Sequence, residues 1–386
     1  MTYQSFEDFY REATIKHLVL FNHGRYLISP PFCTDTCKEY STVMIYGGGI
    51  VWFDVDTTPA TSKYNSMVSI GNSVFFAPYG IWDEFNTVLE LNLNGSGKSI
   101  NHIIDSTSKG QFYSMASDGV TAFAAPLGYD PVSFAIYIKD GKIHQVEVPG
   151  DGELKRHMGT VYHNGCYYSP PRGESYDYDK ILKFDISTET LSLITVPNLI
   201  KARRKYTDFI VAGDKLFSLP FGREVELKQV LVYDTVTEQI ELVDLDLPDF
   251  PKKYNGGVLV DDTIIALPYG HKDDGNANYG LVLNIHTYEH TTFDIGQTFG
   301  GKYRFRCGIA YNSVAVFLPT GAPNADILIV DKTGIILLRK NLSDYVLGRP
   351  VIYEDLVHAL AYNIHTRKHY MLTIDSEFEI RLAVLF

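Results

Sequence analysis

A basic residue followed directly by a ring recurs along the chain at Lys16-His17, Lys63-Tyr64, Arg156-His157, Lys205-Tyr206, Lys253-Tyr254 and Arg304-Phe305. An ammonium or guanidinium beside an aromatic face can hold a compact anion while stacking on a base or a sugar ring. Further cations gather around the later pairs. KARRKY adds Lys201, Arg203 and Arg204, KKYN adds Lys252, and GGKYRFRCG adds Lys302 and Arg306 beside Tyr303. Nearby stretches contribute Arg172 in PPRGES, Arg223 in PFGRE, and His271 with Lys272 in PYGHKDD. Glu174, Glu224, Asp273 and Asp274 lie in the same stretches and would neutralise part of that charge.

Other chemistries find fewer ingredients. Proton abstraction from a uronate needs a cation on the carboxylate and a base beside the α-proton. His157, His271, Tyr206 and Tyr254, with Arg204 or Arg304, are the residues of the right type. The histidine pairs in HTYEH (His286, His290) and NIHTRKH (His365, His369) lack the third ligand that a catalytic zinc needs. Cys33 and Cys37 in FCTDTC could chelate or oxidise, whereas Cys166 and Cys307 sit in apolar runs and read as core thiols. GGG at 47–49 and NGSG at 94–97 do not open a helix after a strand, and no G-x-S-x-G elbow occurs. No cofactor is expected.

What must position these residues follows from a second spacing. Pro-x-Gly closes an apolar run at FAPYG, AAPLG, SPPRG, SLPFG, ALPYG and FLPTG, with prolines 78, 126, 171, 220, 268 and 319. Degenerate copies stand at Pro31 and at LAYN, where Ala361 and Asn363 replace proline and glycine. Each basic residue lies fifteen positions before its proline; Gln111 and Val346 occupy that place in the third and eighth units. In the unit containing KYNGGVLVDDTIIALPYG, short apolar runs alternate with turn residues to give four strands, Asp261 and Asp262 marking the first turn. A four-stranded sheet of this size cannot bury both faces alone but can when packed radially on its neighbours.

The chain is therefore expected to be all-β: an eight-bladed β-propeller with four antiparallel strands per blade, or seven blades if one terminal set lies outside the ring. Residues 16–386 form a single propeller domain, and residues 1–15, with Phe6, Phe9 and Tyr10 at near-helical spacing, form a short helical segment before it. The run K-Y-x-G-G-V-L, a turn, I-x-x-[LI]-P-[YF]-G and V-L-x-[IV] resembles the tandem propeller repeats of the "KW.GGVL…IY.IP" type. That resemblance covers every unit, is strongest at 253–285, and implies a fold rather than an activity.

Composition agrees and narrows the partners. Aromatics reach 13% of 386 residues with 27 Tyr, charged residues only 21%, and the formal net charge is −12, which argues against broad binding of nucleic acid or membrane. No apolar run approaches a membrane span or a secretory leader, and sparse cysteines fit a reducing, cytoplasmic-type compartment, an extracellular one not being excluded.

A hairpin with its turn midway brings the basic-ring pair and the Pro-x-Gly loop to one end of the blade. Two readings of that end stay open. The cations Lys63, Arg156, Lys205, Lys253 and Arg304, with Arg172, Arg203, Arg204, Arg223, Arg306 and His271, and the rings Tyr64, His157, Tyr206 and Tyr254, form a positive, aromatic funnel at the channel mouth. Such a funnel would suit a non-enzymatic binder of a nucleotide-like or uronate-like anion, with a lyase or hydrolase on acidic polysaccharide or a protein-interaction platform as alternatives. In the second reading the repeated pair is a staple between blades, and function lies in the residues that break the repeat.

Overall fold

The computed structural model describes the chain from Ile15 to Phe386, apart from residues 35–36, 48, 56–58, 81–83, 95–97, 106–107, 129–132, 151–153, 155, 225, 271–277, 297–304, 320–325 and 343, and the side chains of Arg306 and Cys307. The helical segment expected at 1–15 lies outside the described residues but for Ile15.

Eight antiparallel sheets follow one another along the sequence, each an up-and-down meander. Blades 1 to 8 span 21–54, 64–103, 116–147, 161–195, 210–244, 258–294, 305–341 and 345–384. Eight blades, not seven, form the ring. In blade 6 the strands are Val258–Val260, Thr263–Ala266, Tyr279–Asn284 and His290–Asp294, as the apolar runs predict. The ring closes between complete blades: Asn22 Nδ2 donates to Ile352 O at 2.9 Å and Tyr353 Oη to Arg25 O at 2.7 Å. In blade 8 the inner strand has two segments, Tyr345–Leu347 and Val351–Tyr353, both paired with Leu356–Asn363.

Alternation along the strands explains why no blade stands alone. In Gln229–Asp234 of blade 5, Val230 and Val232 pack on blade 6 while Leu231 and Tyr233 pack on blade 4. Every seam around the ring holds such a cluster, down to the closing one, where Leu20, Leu27 and Met44 meet Tyr353, Leu360 and Met371. Strands buried on both faces read as continuous apolar runs, which is the pattern of the second and third strand of each unit.

The fifteen-residue spacing has a backbone meaning. Tyr79 N donates to Lys63 O at 2.8 Å, Gln111 N to Tyr79 O at 3.0 Å and Leu127 N to Gln111 O at 2.8 Å. On the other side of the ring, Lys205 N donates to Arg172 O at 3.0 Å, Phe221 N to Lys205 O at 2.9 Å, Lys253 N to Phe221 O at 2.8 Å and Tyr269 N to Lys253 O at 2.8 Å. The basic residue of one blade and the middle residue of Pro-x-Gly thus alternate in a belt of amide hydrogen bonds that passes from blade to blade. A second row runs beside it: Gly80 N to Ser62 O, Gly110 N to Gly80 O and Gly128 N to Gly110 O, then Arg204 N to Gly173 O, Gly222 N to Arg204 O and Lys252 N to Gly222 O.

Residues of this second row are left-handed, with φ of 54° at Gly80, 58° at Gly110, 64° at Gly128, 60° at Gly173 and 56° at Gly222. That conformation costs an L-residue roughly 1–2 kcal/mol, which accounts for the glycine of Pro-x-Gly. Cys33, Ser62, Arg204 and Lys252 adopt it without being glycine. Gly173 carries a second constraint, since a Cβ there would lie 2.5 Å from Tyr178 Cβ, whereas one on Gly24, also left-handed, meets nothing within 4 Å. Gly173→Ala is therefore expected to lower the free energy of unfolding by more than Gly24→Ala, itself about 1–2 kcal/mol, as read by denaturant titration.

Candidate functional site

The repeated cations belong to the belt. Lys63 is buried, and its Nζ donates to Tyr40 O and Ser41 Oγ, each at 3.0 Å, in the preceding blade. Lys205 Nζ donates to Tyr178 O at 2.8 Å, in the loop between the second and third strands of blade 4, and Lys253 Nζ to Phe250 O at 2.7 Å, on the chain just before blade 6. Arg156 Nη1 reaches Val148 O at 3.2 Å, and Gln111 Nε2 does the same work on Phe85 O at 3.1 Å. Burial pulls the Lys253 ammonium down to about 8 and the Lys63 ammonium below the usual lysine value. The funnel expected from Lys63, Arg156, Lys205 and Lys253 is thus corrected: their heads turn into the protein because loop carbonyls there need donors.

The paired rings are also interior. Tyr64, Tyr206 and Tyr254 are fully buried, with Tyr206 Oη donating to Gln229 O at 3.2 Å and Tyr254 Oη to Tyr279 O at 3.3 Å. His157 Nδ1 donates to Pro170 O at 3.0 Å and its Nε2 accepts from Tyr178 Oη at 2.8 Å; His17 repeats this with Pro30 O at 3.1 Å and Tyr40 Oη at 3.0 Å. Neither these tyrosines nor His157 can stack on a ligand or act as a base on one. Burial, followed for His17 by the neighbouring His369, holds His17 and His157 at about 3, and burial does the same for His369, which stacks on Phe386 at 4.5 Å.

The cations that break the repeat on blades 4 and 5 are paired as the nearby acids foretold. Arg204 forms a bidentate bridge to Glu174 at 2.7 and 3.0 Å, and Arg223 reaches the same carboxylate at 3.3 Å. Arg203 holds Glu224 at 2.8 Å and lies 5.2 Å from the centre of the Tyr176 ring. Lys201 pairs with Asp177 at 2.7 Å. Arg304 and His271 lie outside the described residues, as does the side chain of Arg306. Among the described residues no group of three or more His, Cys, Asp or Glu could hold a metal ion, and no helix is long and apolar enough to cross a membrane. His286 and His365 bond instead to Asp262 and Asp344 at 3.3 and 3.2 Å.

Charge converges elsewhere, in the channel. Arg349 stands at the break in the inner strand of blade 8, and its guanidinium carbon lies 4.9 Å from the centre of the Tyr113 ring. Tyr113 precedes the inner strand of blade 3, so this contact between non-adjacent blades crosses the central channel. Asp208, entering blade 5, feels both Arg349 and Arg172. Burial lifts its carboxyl above the usual carboxylate range against the pull of those two guanidiniums. Space for the carboxylate comes from blade 4, where a Cβ on Gly159 would fall 1.5 Å from Asp208 Oδ1.

The middle residues of Pro-x-Gly pack nearby in two largely buried aromatic clusters. Tyr79, Tyr113, Leu127 and Met158 form one cluster, the two tyrosines edge to face with centroids 5.5 Å apart. Opposite, Phe221 lies 5.4 Å from Tyr269, and Arg172 lies 6.0 Å from the Phe221 ring. Of the described residues expected at the site, Arg172 is the one that lies here. Asp208 and Arg349 were not anticipated, yet both stand three residues after the basic position, where Ser66, Ser114, Gly159 and Gly256 occur in other units. A charge at an otherwise small or neutral repeat position was the available signal.

Neutral buried imidazoles make an acid prediction. Unfolding lets His17, His157 and His369 take up protons below the ordinary imidazole value of about 6.5, so the unfolded state binds more protons and stability drains as pH falls. The melting temperature should fall from about pH 7 to about pH 4, and less steeply in His157→Phe, phenylalanine being the residue at this place in units 3 and 7.

No protein-family model and no curated relative matches the chain. Solved structures do. Dihydro-heme d1 dehydrogenase NirN in complex with DHE aligns over 100% of this chain and 80% of its own, with a TM-score of 0.61 at 12% identity. Apo AztD from Citrobacter koseri aligns over 96% and 94%, with a TM-score of 0.55 at 10% identity. At these identities the likeness is one of fold, and the chain is an eight-bladed propeller.

Proposed function

We propose that the chain is a non-enzymatic binding protein that holds a small anionic molecule, nucleotide-like or uronate-like, at the aromatic mouth of the propeller channel. The observation that carries this is Arg349, delivered across the channel against Tyr113, with Asp208 in the field of both Arg349 and Arg172. Two guanidiniums and one carboxyl with a lifted pKa leave the mouth positive in a protein whose net charge is −12, a contrast that attracts a compact anion to one place. The anion would sit on Arg172 and Arg349, its ring or sugar face against Tyr79, Tyr113, Phe221 and Tyr269, and a donor group on Asp208. Guanidiniums are suited to this because they bond carboxylate or phosphate in a fork and stack on rings at once. The surroundings proposed for it are a reducing, cytoplasmic-type compartment.

Calorimetry and thermal melts against nucleoside phosphates and uronates test the proposal. At least one such anion should raise the melting temperature. Arg349→Ala and Arg172→Ala should each weaken it by roughly ten- to a hundredfold, the worth of a charge-assisted hydrogen bond. The proposal fails if no anion shifts the melt, or if both variants bind as tightly as the native protein.

A further inference from the structure

FCTDTC supplies two thiols that the channel site does not use. Cys33 follows Pro31-Phe32 at the place of the Pro-x-Gly glycine, is buried, and is left-handed with φ of 62°. Its carbonyl accepts from Ser62 N at 2.9 Å, so it is the blade 1 member of the second row of the belt. Cys37 N donates to Thr34 O at 3.0 Å, and the second thiol lies within hydrogen-bond reach of the first.

Donors converge on the sulfur of Cys37. Thr34 N donates to it at 3.3 Å, Thr34 Oγ1 lies at 3.6 Å, and the Cys33 thiol hydrogen-bonds to it while also reaching Tyr40 O at 3.1 Å. As a thiol, Cys37 can itself donate to Ile15 O at 3.3 Å. The Cys33 hydrogen bond first, then those from Thr34 and the field of Lys16, bring the Cys37 thiol down to about 6 despite its burial. Cys33 moves the opposite way, well above the usual thiol range, through the same hydrogen bond and its own burial. Cys37 is partly exposed and Cys33 is not.

We propose that Cys37 is a nucleophilic thiolate and Cys33 its resolving thiol, together forming a modification site for small disulfides of the glutathione type. The Cys37 thiolate attacks one sulfur of the small disulfide, which forms a mixed disulfide and expels one small thiolate. That thiolate takes the Cys33 proton, and the Cys33 sulfur attacks Cys37 Sγ, closing the protein disulfide and expelling the second small thiolate, which takes a proton from water. Two electrons pass from the protein thiols to the small disulfide, which leaves as two thiols. The buried partner cannot attack first, because its thiol is shielded, donates to Tyr40 O and is held protonated well above the usual thiol range. Since Cys33 sits in the belt, closure would pin the belt where blade 1 meets blade 2.

The test adds oxidised glutathione to the reduced full chain, with the cysteine peptides mapped by mass. The native protein should lose two hydrogens across Cys33 and Cys37 and keep no adduct. Cys33→Ser should keep one glutathionyl group on Cys37, and Cys37→Ser should leave Cys33 unmodified. Serine already occupies a left-handed belt position at Ser62, which favours folding of the first variant. A measurement on the native protein stands apart from both variants: alkylation of Cys37 by iodoacetamide at about pH 7 should run about two- to threefold faster than that of a cysteine in an unstructured peptide, the gain in thiolate fraction exceeding the loss of intrinsic nucleophilicity. Alkylation no faster than in the peptide, or a Cys33→Ser protein that gains no adduct, would overturn the proposal.

Discussion

The amide belt is the constraint on which the rest depends. A propeller blade buries both faces only against its neighbours, and side-chain packing alone does not fix the height of one blade against the next. Here the height is set by backbone bonds that run from the basic residue of one blade to the middle residue of Pro-x-Gly and on to the next blade. The left-handed residues beside it turn the chain so that each loop can accept from one neighbour and donate to the other. The ammonium groups of Lys63, Lys205 and Lys253 then complete the carbonyls that the loops leave over.

That arrangement separates structure from function by position in the repeat. Among the described residues, Lys63, Arg156, Lys205 and Lys253 and the rings that follow them are interior and belong to the seams between blades. Two and three residues on, the chain borders the channel, and here the units diverge: Tyr113, Asp208 and Arg349 come from three different blades to one place. Blade 8 places Arg349 between the two segments of its inner strand, and blade 4 leaves room at Gly159 for the Asp208 carboxylate. Charges three residues after the basic position occur only in the units of Asp208 and Arg349 in the eightfold repeat, as a single ligand would require.

Much of the fold was legible in the sequence because its signals are local. Asp261-Asp262 and the flanking apolar runs fix the hairpin of blade 6, and the recurrence of Pro-x-Gly fixes the ring. The direction of a side chain is not local, which is why the cations were the least legible feature. Lys253 at the rim of a hairpin has the spacing of a ligand-binding residue, and only the carbonyl of Phe250 shows why it turns inward. Arg203, Arg204 and Arg223 are exposed in part, but Glu174 and Glu224 hold them, as their place in the same loops suggested. Arg349 was hidden by the irregularity of the eighth unit, where Val346 replaces the basic residue and the repeat is hardest to align.

The central claim is that ligand contact belongs to the channel residues that break the repeat and not to the repeated cations. A crystal structure of the protein grown with a nucleoside phosphate or a uronate tests it most directly. The account predicts ligand density against Arg349, Arg172 and Tyr113, with Lys253 Nζ still on Phe250 O. Density for the anion on the ammonium groups of Lys63, Lys205 or Lys253, turned out into the channel, would contradict it.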